Sequence, residues 1–358
     1  MASSLTTSTF DRAYGCLLGQ AIGDALGTRY EFKNSAVTKS MIESDLKSRK
    51  VRFVPILGGG PFNMEPGQVT DDTEMAMALA RSMQRCRKFD IGDVARSYAH
   101  WFHSSPPDIG TTTMNAFHHV KRTELSKLTN DQVHQSMIKS SAERNRSSRS
   151  NGCLMRISPL AIAGSQWPLE KLREAAIADC CLTHPNPIAH DAVAAYVTAI
   201  WYLINTGDRS KAYEEALAQV QTSIVRRLLE SSAEDNPSVP IVSRGSDGQE
   251  QVHMISGDGS HMGYLGVALK WAFQGLRLGG DDFDQALIGV VSRGGDTDTN
   301  GCIAGALLGA CVGESKIPMD WKRVVLEAKP RRLTRYDWVK MEDAETLVKD
   351  LLEIPPPS

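Results

Sequence analysis

Apolar residues return every three or four positions along most of the chain. Stretches 72–84 (DTEMAMALARSMQ), 91–102, 169–181, 190–204, 212–229, 266–276 and 344–352 each gather them on one side of a helix. Strict alternation, the mark of a half-buried strand, is confined to 51–57 and 239–242. The pattern predicts an all-α fold. No unit recurs at a period of about 20–50 residues, so a solenoid is not expected. Two segments lack periodicity. Residues 140–151 (SSAERNRSSRSN) read as a polar, basic loop, and 231–261, rich in Ser, Gly, Pro and Asp, as a long one. A loop of that length is usually disordered or functional, and we expect it to be mobile and to border the site. Composition does not shift across either segment. The expected organisation is therefore a disordered stretch 1–9, a single domain 10–353, and a tail 354–358.

Two glycine series interrupt the helical pattern. Gly15, Gly19, Gly23 and Gly27 recur at every fourth position, as do Gly301, Gly305, Gly309 and Gly313. On a helix this spacing bares one face. Each interior glycine costs about 1 kcal/mol against alanine, and close approach by another helix is the usual compensation. The apolar run 302–312 is too short to span a bilayer. Both series therefore belong to central helices of a tightly packed bundle.

Composition narrows the function. The 358 residues are 41% hydrophobic and 23% charged, with 40 Lys plus Arg against 42 Asp plus Glu, a net charge of −2. That balance argues against general nucleic-acid binding, which needs a basic face. No unbroken apolar run is long enough for a membrane span. Residues 1–9 lack the basic start and apolar core of a secretory signal. Seven cysteines form no CxxC pair, which predicts reduced, buried thiols in a cytoplasmic protein, the nucleus being left open, and no zinc site.

Two carboxylate clusters stand out. Thr70-Asp71-Asp72-Thr73 follows a loop containing Gly58-Gly59-Gly60 and Gly67, and Asp296-Thr297-Asp298-Thr299 follows Gly294-Gly295. Asp and Thr are good helix caps and acids suit a first turn, but one residue caps one helix. Two acids with two threonines, twice, point instead to a hard cation held by oxygen ligands. Without a cation, such acids repel one another. The triple glycine lacks the Gly-Lys-Ser/Thr of a phosphate-binding loop.

Taken in order, Gly23-Asp24-Ala25-Leu26-Gly27 with Tyr30-Glu31-Phe32, then Thr70-Asp71-Asp72-Thr73, Asn151-Gly152-Cys153-Leu154-Met155-Arg156 and Gly294-Gly295-Asp296-Thr297-Asp298-Thr299 resemble the ADP-ribosylglycohydrolase family. That family includes the dinitrogen reductase-activating glycohydrolase and the eukaryotic ADP-ribosylhydrolases. The likeness runs from about residue 10 to 315. It implies a compact orthogonal helical bundle around a central cleft lined by two magnesium or manganese ions. By the resemblance Thr70, Asp71 and Asp72 bind one ion, while Asp296, Asp298 and Thr299 complete the pair, Asp296 being shared.

The resemblance also lifts residues that alone would be unremarkable. Glu31 reads as a surface acid, but it stands where the family places an acid flanking the metals. Asp108, in Pro106-Pro107-Asp108-Ile109-Gly110-Thr111-Thr112, reads as a turn acid. A matching Asp-x-Gly segment in nitrogenase-type members brings Asp108 and Gly110 to the ribose, and Thr111 less firmly, since those members carry Asn there. Asn151 and Gly152 begin a turn able to offer N–H groups to phosphate. His184 and Tyr264 become ligand-side residues, although a structural histidine and a core aromatic are the plain alternatives. Arg156 is open between phosphate contact and internal ion pair.

The implied activity is hydrolysis of the glycosidic bond at C1″ of an ADP-ribosyl group. The ions would hold the 2″ and 3″ hydroxyls of the distal ribose and orient a water, with Asp108 or Glu31 as acid–base group. Between these two the sequence does not choose. The segment 151–161 is closest to arginine-type bacterial enzymes, so ADP-ribosyl-arginine on a protein is the favoured substrate. ADP-ribosyl-serine, poly-ADP-ribose, O-acetyl-ADP-ribose and modified nucleic acid are alternatives. No redox cofactor is implied, and a monomer is expected. Two rivals are a non-catalytic ADP-ribose-binding or crystallin-like member, and a two-metal phosphoesterase, which would yield AMP instead.

Overall fold

A computed structural model describes residues 7–49, 53–244, 249–279, 281–329 and 336–357. In them the chain forms seventeen α-helices and four short strands. In order these are α1 (Thr7–Gly27), β1 (Lys33–Asn34), α2 (Ser35–Arg49), α3 (Asp71–Cys86), α4 (Ile91–Phe102), α5 (Thr111–Ala116), α6 (Asn130–Arg144), α7 (Ser158–Ala163), α8 (Leu169–Cys181) and α9 (Pro187–Thr206). Then follow α10 (Arg209–Ala218), α11 (Ser223–Ser231), β2 (Ser238–Arg244), β3 (Glu250–Ser256), α12 (Leu265–Leu278), α13 (Phe283–Val291), β4 (Gly294–Gly295), α14 (Thr297–Val312), α15 (Met319–Leu326), α16 (Tyr336–Val339) and α17 (Ala344–Leu352). The helical class expected from periodicity is the one observed.

Both glycine series lie on a single interface. A Cβ placed on Gly15, Gly19, Gly23 or Gly27 would collide with the backbone of Gly309, Gly305, Gly301 or Thr297 respectively. Partner numbers fall as the first numbers rise, so α1 and α14 run antiparallel, backbone against backbone. The Thr297 hydroxyl closes one end by donating to Gly27 O at 2.7 Å. Every residue of α14 from 297 to 310 is buried, as expected of a helix covered on all sides. Helix α9 is long and apolar enough to cross a membrane, but 72% of that span is buried among other helices, which is how a core helix behaves.

Five expectations need correction. The loop expected at 140–151 begins only after α6 ends at Arg144, so residues 140–144 are helical, with Ser140 and Ser141 buried. The single helix at 212–229 is two, because Asp191 on α9 accepts from the N–H groups of Gln221 (2.9 Å) and Thr222 (2.7 Å) and from the Thr222 hydroxyl. Thr222, so held, caps a new helix. The segment 231–261 is no featureless loop. Strands β2 and β3 pair antiparallel, Ser238 opposite Ser256 through Arg244 opposite Glu250, and Val239 and Val242 face the core. Residues 245–248 lie outside the described part. The alternation near 51–57 is real in its burial, with Val54 and Ile56 inside, but residues 53–57 pair with no strand; residues 51 and 52 are outside the described part. Finally, α1 begins at Thr7, within the stretch 1–9 expected to be disordered; residues 1–6 are outside the described part. The cysteines are free thiols, four of them buried and Cys86, Cys181 and Cys311 partly so.

A candidate metal-binding cleft

The start of α3 is set from below by Asp24 on α1. Its carboxylate accepts from Thr70 N–H (3.1 Å), the Thr70 hydroxyl (3.0 Å) and Thr73 N–H (3.1 Å). Exposed helix-start N–H groups are a natural seat for a carboxylate. The chain reaches this point through left-handed glycines; Gly67, at φ 79°, has no room for a side chain against Val324 O. Thr70 caps α3 and its hydroxyl lies 3.1 Å from Asp72 Oδ2. Across the gap, the Thr299 hydroxyl of α14 donates to the same Asp72 oxygen at 3.3 Å. The two clusters, more than two hundred residues apart in sequence, are thus joined.

A second junction brings Glu31 to Asp296. Strand β1 pairs with β4, and Phe32 N–H donates to Gly295 O at 2.8 Å. Gly294 and Gly295 take φ of 76° and 77°, where a side chain would strike Lys33 O and Gly257 O. The result is a knot of carboxylate oxygens from Glu31, Asp296 and Asp298, all within 4.8 Å of one another. Asn151 Nδ2 donates to Asp296 Oδ2 at 2.7 Å, tying in the segment after the basic loop.

Burial and mutual repulsion raise the pKa values of six acids here, Glu31, Asp24, Asp71, Asp72, Asp298 and Asp108. Glu31 is pushed up to about 9, first by burial, then by Asp296, Asp108, Asp71 and Asp24. Burial carries Asp24 to about 7 against its hydrogen bonds. Asp71, Asp72 and Asp298 rise well above the carboxylate range, chiefly by burial and then by neighbouring acids. Asp108 is raised by burial, an effect opposed by the Ile109 N–H. Two buried oxygens, Glu31 Oε2 and Asp72 Oδ1, have no hydrogen-bond partner, an expensive condition in a folded protein. An all-oxygen donor set with orphaned lone pairs and clustered acids fits a hard divalent cation.

The cleft encloses about 310 Å³. Glu31, Asp71, Asp108, Gly110, Thr111, Asn151, Gly152, Asp296, Asp298 and Thr299 all line it; no Lys, Arg or His does so among the described residues. Thr70 and Asp72 sit buried just beneath. Two expected ligand-side residues do not reach the cleft wall. His184 is buried behind the turn, bonded to Ser150 Oγ (2.8 Å) and Thr183 Oγ1 (2.7 Å). Burial pushes its pKa down to about 3, so it is a neutral prop. The Tyr264 ring packs toward Gly266 and Leu228, while the neighbouring Gly263 lines the cleft and accepts from Asn151 N–H at 3.1 Å. That N–H is therefore already used. Arg156 is a buried structural cation, 2.9 Å from Asp179. None of the described residues 231–244 and 249–261 lines the cleft, against the expectation that the segment borders it.

Asp24, Phe32, Thr112 and Met155 lie within the motifs quoted above but were assigned no role, and Thr113, Ser150 and Gly263 join them at the site. For Asp24 the signal was present: it follows Gly23 on a face that must touch another backbone. For Phe32, Thr112 and Met155 the motif marked the segment but not the side chain, and for Thr113, Ser150 and Gly263 spacing along the chain carries no trace of the cleft.

The protein-family model described as ADP-ribosylglycohydrolase matches residues 5–355. Over 326 residues the chain is 31% identical to a protein of Acanthamoeba polyphaga mimivirus named as an ADP-ribosyl glycohydrolase, covering 89% of this chain and 92% of that one. It is 30% identical to the ADP-ribosyl-[dinitrogen reductase] glycohydrolase of Rhodospirillum rubrum, covering 88% and 90%. It is 28% identical to an ADP-ribosylarginine hydrolase of Serratia proteamaculans, covering 88% and 75%. Among solved structures, an ADP-ribosylglycohydrolase-related protein complex superposes with a TM-score of 0.70 at 24% identity, covering 98% of this chain and 99% of that one.

Proposed function

Because the chain belongs to the ADP-ribosylglycohydrolase family, we propose that it is a metal-dependent hydrolase that frees ADP-ribose by cutting the C1″ bond of ADP-ribosyl-arginine. The observation that carries this reading is the convergence of Glu31, Asp296 and Asp298 within 4.8 Å, in a cleft that also holds Asp71, Asp108 and Thr299. Arginine as acceptor is supported by the segment Asn151–Arg156, by the Serratia relative's name, and by a cleft lining that is acidic and, among the described residues, lacks basic side chains.

Asp71, Asp72, Asp296, Asp298, Thr299 and Thr70 would hold two divalent ions, with Glu31 flanking them beside Asp296 and Asp298. Such ions supply positive charge that fixes ribose hydroxyls and stabilises developing negative charge. The chain's own groups do the rest. Asp24 locks the start of α3, Asn151 orients Asp296, and Thr299 orients Asp72. Asp108 lines the cleft outside the tight carboxylate knot, and burial raises its pKa above the usual carboxylate value, which favours holding and passing on a proton. As the C1″–N bond breaks, a water oxygen bonds to C1″. The proton lost by that water passes to Asp108 or Glu31, and the departing guanidine regains one.

The test is product analysis by mass spectrometry on arginine- and serine-linked ADP-ribosyl peptides, with and without EDTA. We expect free ADP-ribose from the arginine-linked peptide, lost with EDTA and restored by magnesium or manganese. AMP as product would establish a phosphoesterase, and binding without release a non-catalytic reader.

A further inference from the structure

Phe32 is placed at an energetic disadvantage twice over. Its φ is 62°, in the left-handed region, which is unfavourable for a bulky side chain. Its ring is 53% exposed yet lines the cleft beside Glu31. Backbone strain of this kind persists where the surroundings over-determine it, and it gathers at ligand sites. Here the surroundings are clear. Phe32 N–H is tied to Gly295 O at 2.8 Å. The Phe62 ring stands edge-on to Phe32, centroids 6.5 Å apart and planes at 73°. Phe62 is itself fixed by a loop closed through Gly59 and Met64, in which left-handed Gly60 presses against Thr28 O. Two loops are thus built so that one aromatic face stands at the cleft.

We propose that Phe32, backed by Phe62, is the acceptor subsite, the surface on which the planar guanidinium of an ADP-ribosylated arginine stacks. The inference rests on the functional reading above and adds to it the group that recognises the leaving side. A guanidinium is flat, permanently charged and weakly hydrated, and a cation over an aromatic face is attracted by the ring quadrupole. Among the described residues the nearby lining contributes Glu31 and Asp108 and no basic side chain, so a cation arriving there meets opposite charge. A serine-linked substrate offers neither a plane nor a charge for this surface.

The test separates KM from kcat for F32G, F32L and F32W on arginine- and serine-linked ADP-ribosyl peptides, alongside calorimetry with free ADP-ribose and magnesium. Glycine is at ease at φ 62°, so F32G should keep its Tm close to wild type and its ADP-ribose affinity intact. F32G and F32L should raise KM for the arginine-linked peptide about three- to tenfold, while F32W stays near wild type. Any turnover of the serine-linked peptide should be indifferent to all three. Unchanged arginine KM in F32G and F32L, with the wild type active, would overturn the subsite alone. Equal losses of ADP-ribose affinity would overturn it too, by making Phe32 a contact to the nucleotide. A wild type that releases nothing from the arginine-linked peptide would remove the functional reading, and the subsite with it.

Discussion

Among single residues, the carboxylates divide by what surrounds them. Asp71 and Asp298 sit buried in the cluster with pKa values driven far up, whereas Asp108 is half-buried with one N–H for company. Removing a cation ligand should weaken both binding and rate. Removing a proton carrier should spare interactions that ground and transition states share. Asp71→Asn and Asp298→Asn should therefore lose turnover and ADP-ribose affinity together while circular dichroism stays helical. Asp108→Asn and Glu31→Gln should still bind ADP-ribose with magnesium present, and at least one should lose about 10²-fold or more in turnover. Near-normal turnover in both would move the proton to another group, and loss of binding in both would make them positioning residues. Glu31 was legible only through family likeness, since nothing in its spacing distinguishes it from a surface acid. His184 and Tyr264 were placed one layer too far forward, because a motif locates a segment but not which way its side chains turn.

At the level of helices and strands, periodicity served well where one helix buries one stripe, as in α4, α8 and α17. It failed where a distant side chain intervened: Asp191 cuts the 212–229 pattern in two, and no property of that pattern announces it. Of the hairpin β2–β3 only 239–242, within β2, was readable; β3 hid because it is exposed along most of its length. The glycine faces, by contrast, were fully readable as close packing. They also make a sharp prediction. Gly23→Ala or Gly305→Ala forces a methyl group into the opposing backbone and should cost about 1–3 kcal/mol or more in denaturant unfolding. Gly289, within α13, has nothing within 4 Å of where its Cβ would lie. Gly289→Ala should leave stability unchanged or raise it by up to about 1 kcal/mol. A mild effect at Gly23 or a severe one at Gly289 contradicts this account of the interface.

For the whole molecule, the acid cluster sets how stability responds to pH. Glu31 and Asp24 hold protons in the folded chain that the unfolded chain releases near pH 4. A carboxyl with a raised folded pKa favours the folded state at low pH, and that contribution is lost as pH climbs through the folded value. The metal-free protein should therefore lose stability between about pH 4 and pH 9. Divalent ions bind the ionised form, so magnesium should raise Tm more at pH 8 than at pH 5.5. A magnesium increment that shrinks as pH rises would refute the cluster as the cation site. That two acid clusters, one glutamate and one asparagine meet at all could not be read along the chain, since no local pattern encodes a contact spanning 227 residues.

The antiparallel seam of α1 and α14 has a consequence for how the protein is made. Its two bare faces lie far apart in the chain, and contacts such as Thr297 to Gly27 span 270 positions. An emerging chain must hold α1 without its mate until nearly everything else has been synthesised. Contacts this remote in sequence slow folding, and a half-made chain shows apolar surface that invites chaperones. The cleft, whose floor needs both helix starts, comes into being last. A ribosome-bound chain stopped before α14 would thus be rich in helices and empty of chemistry.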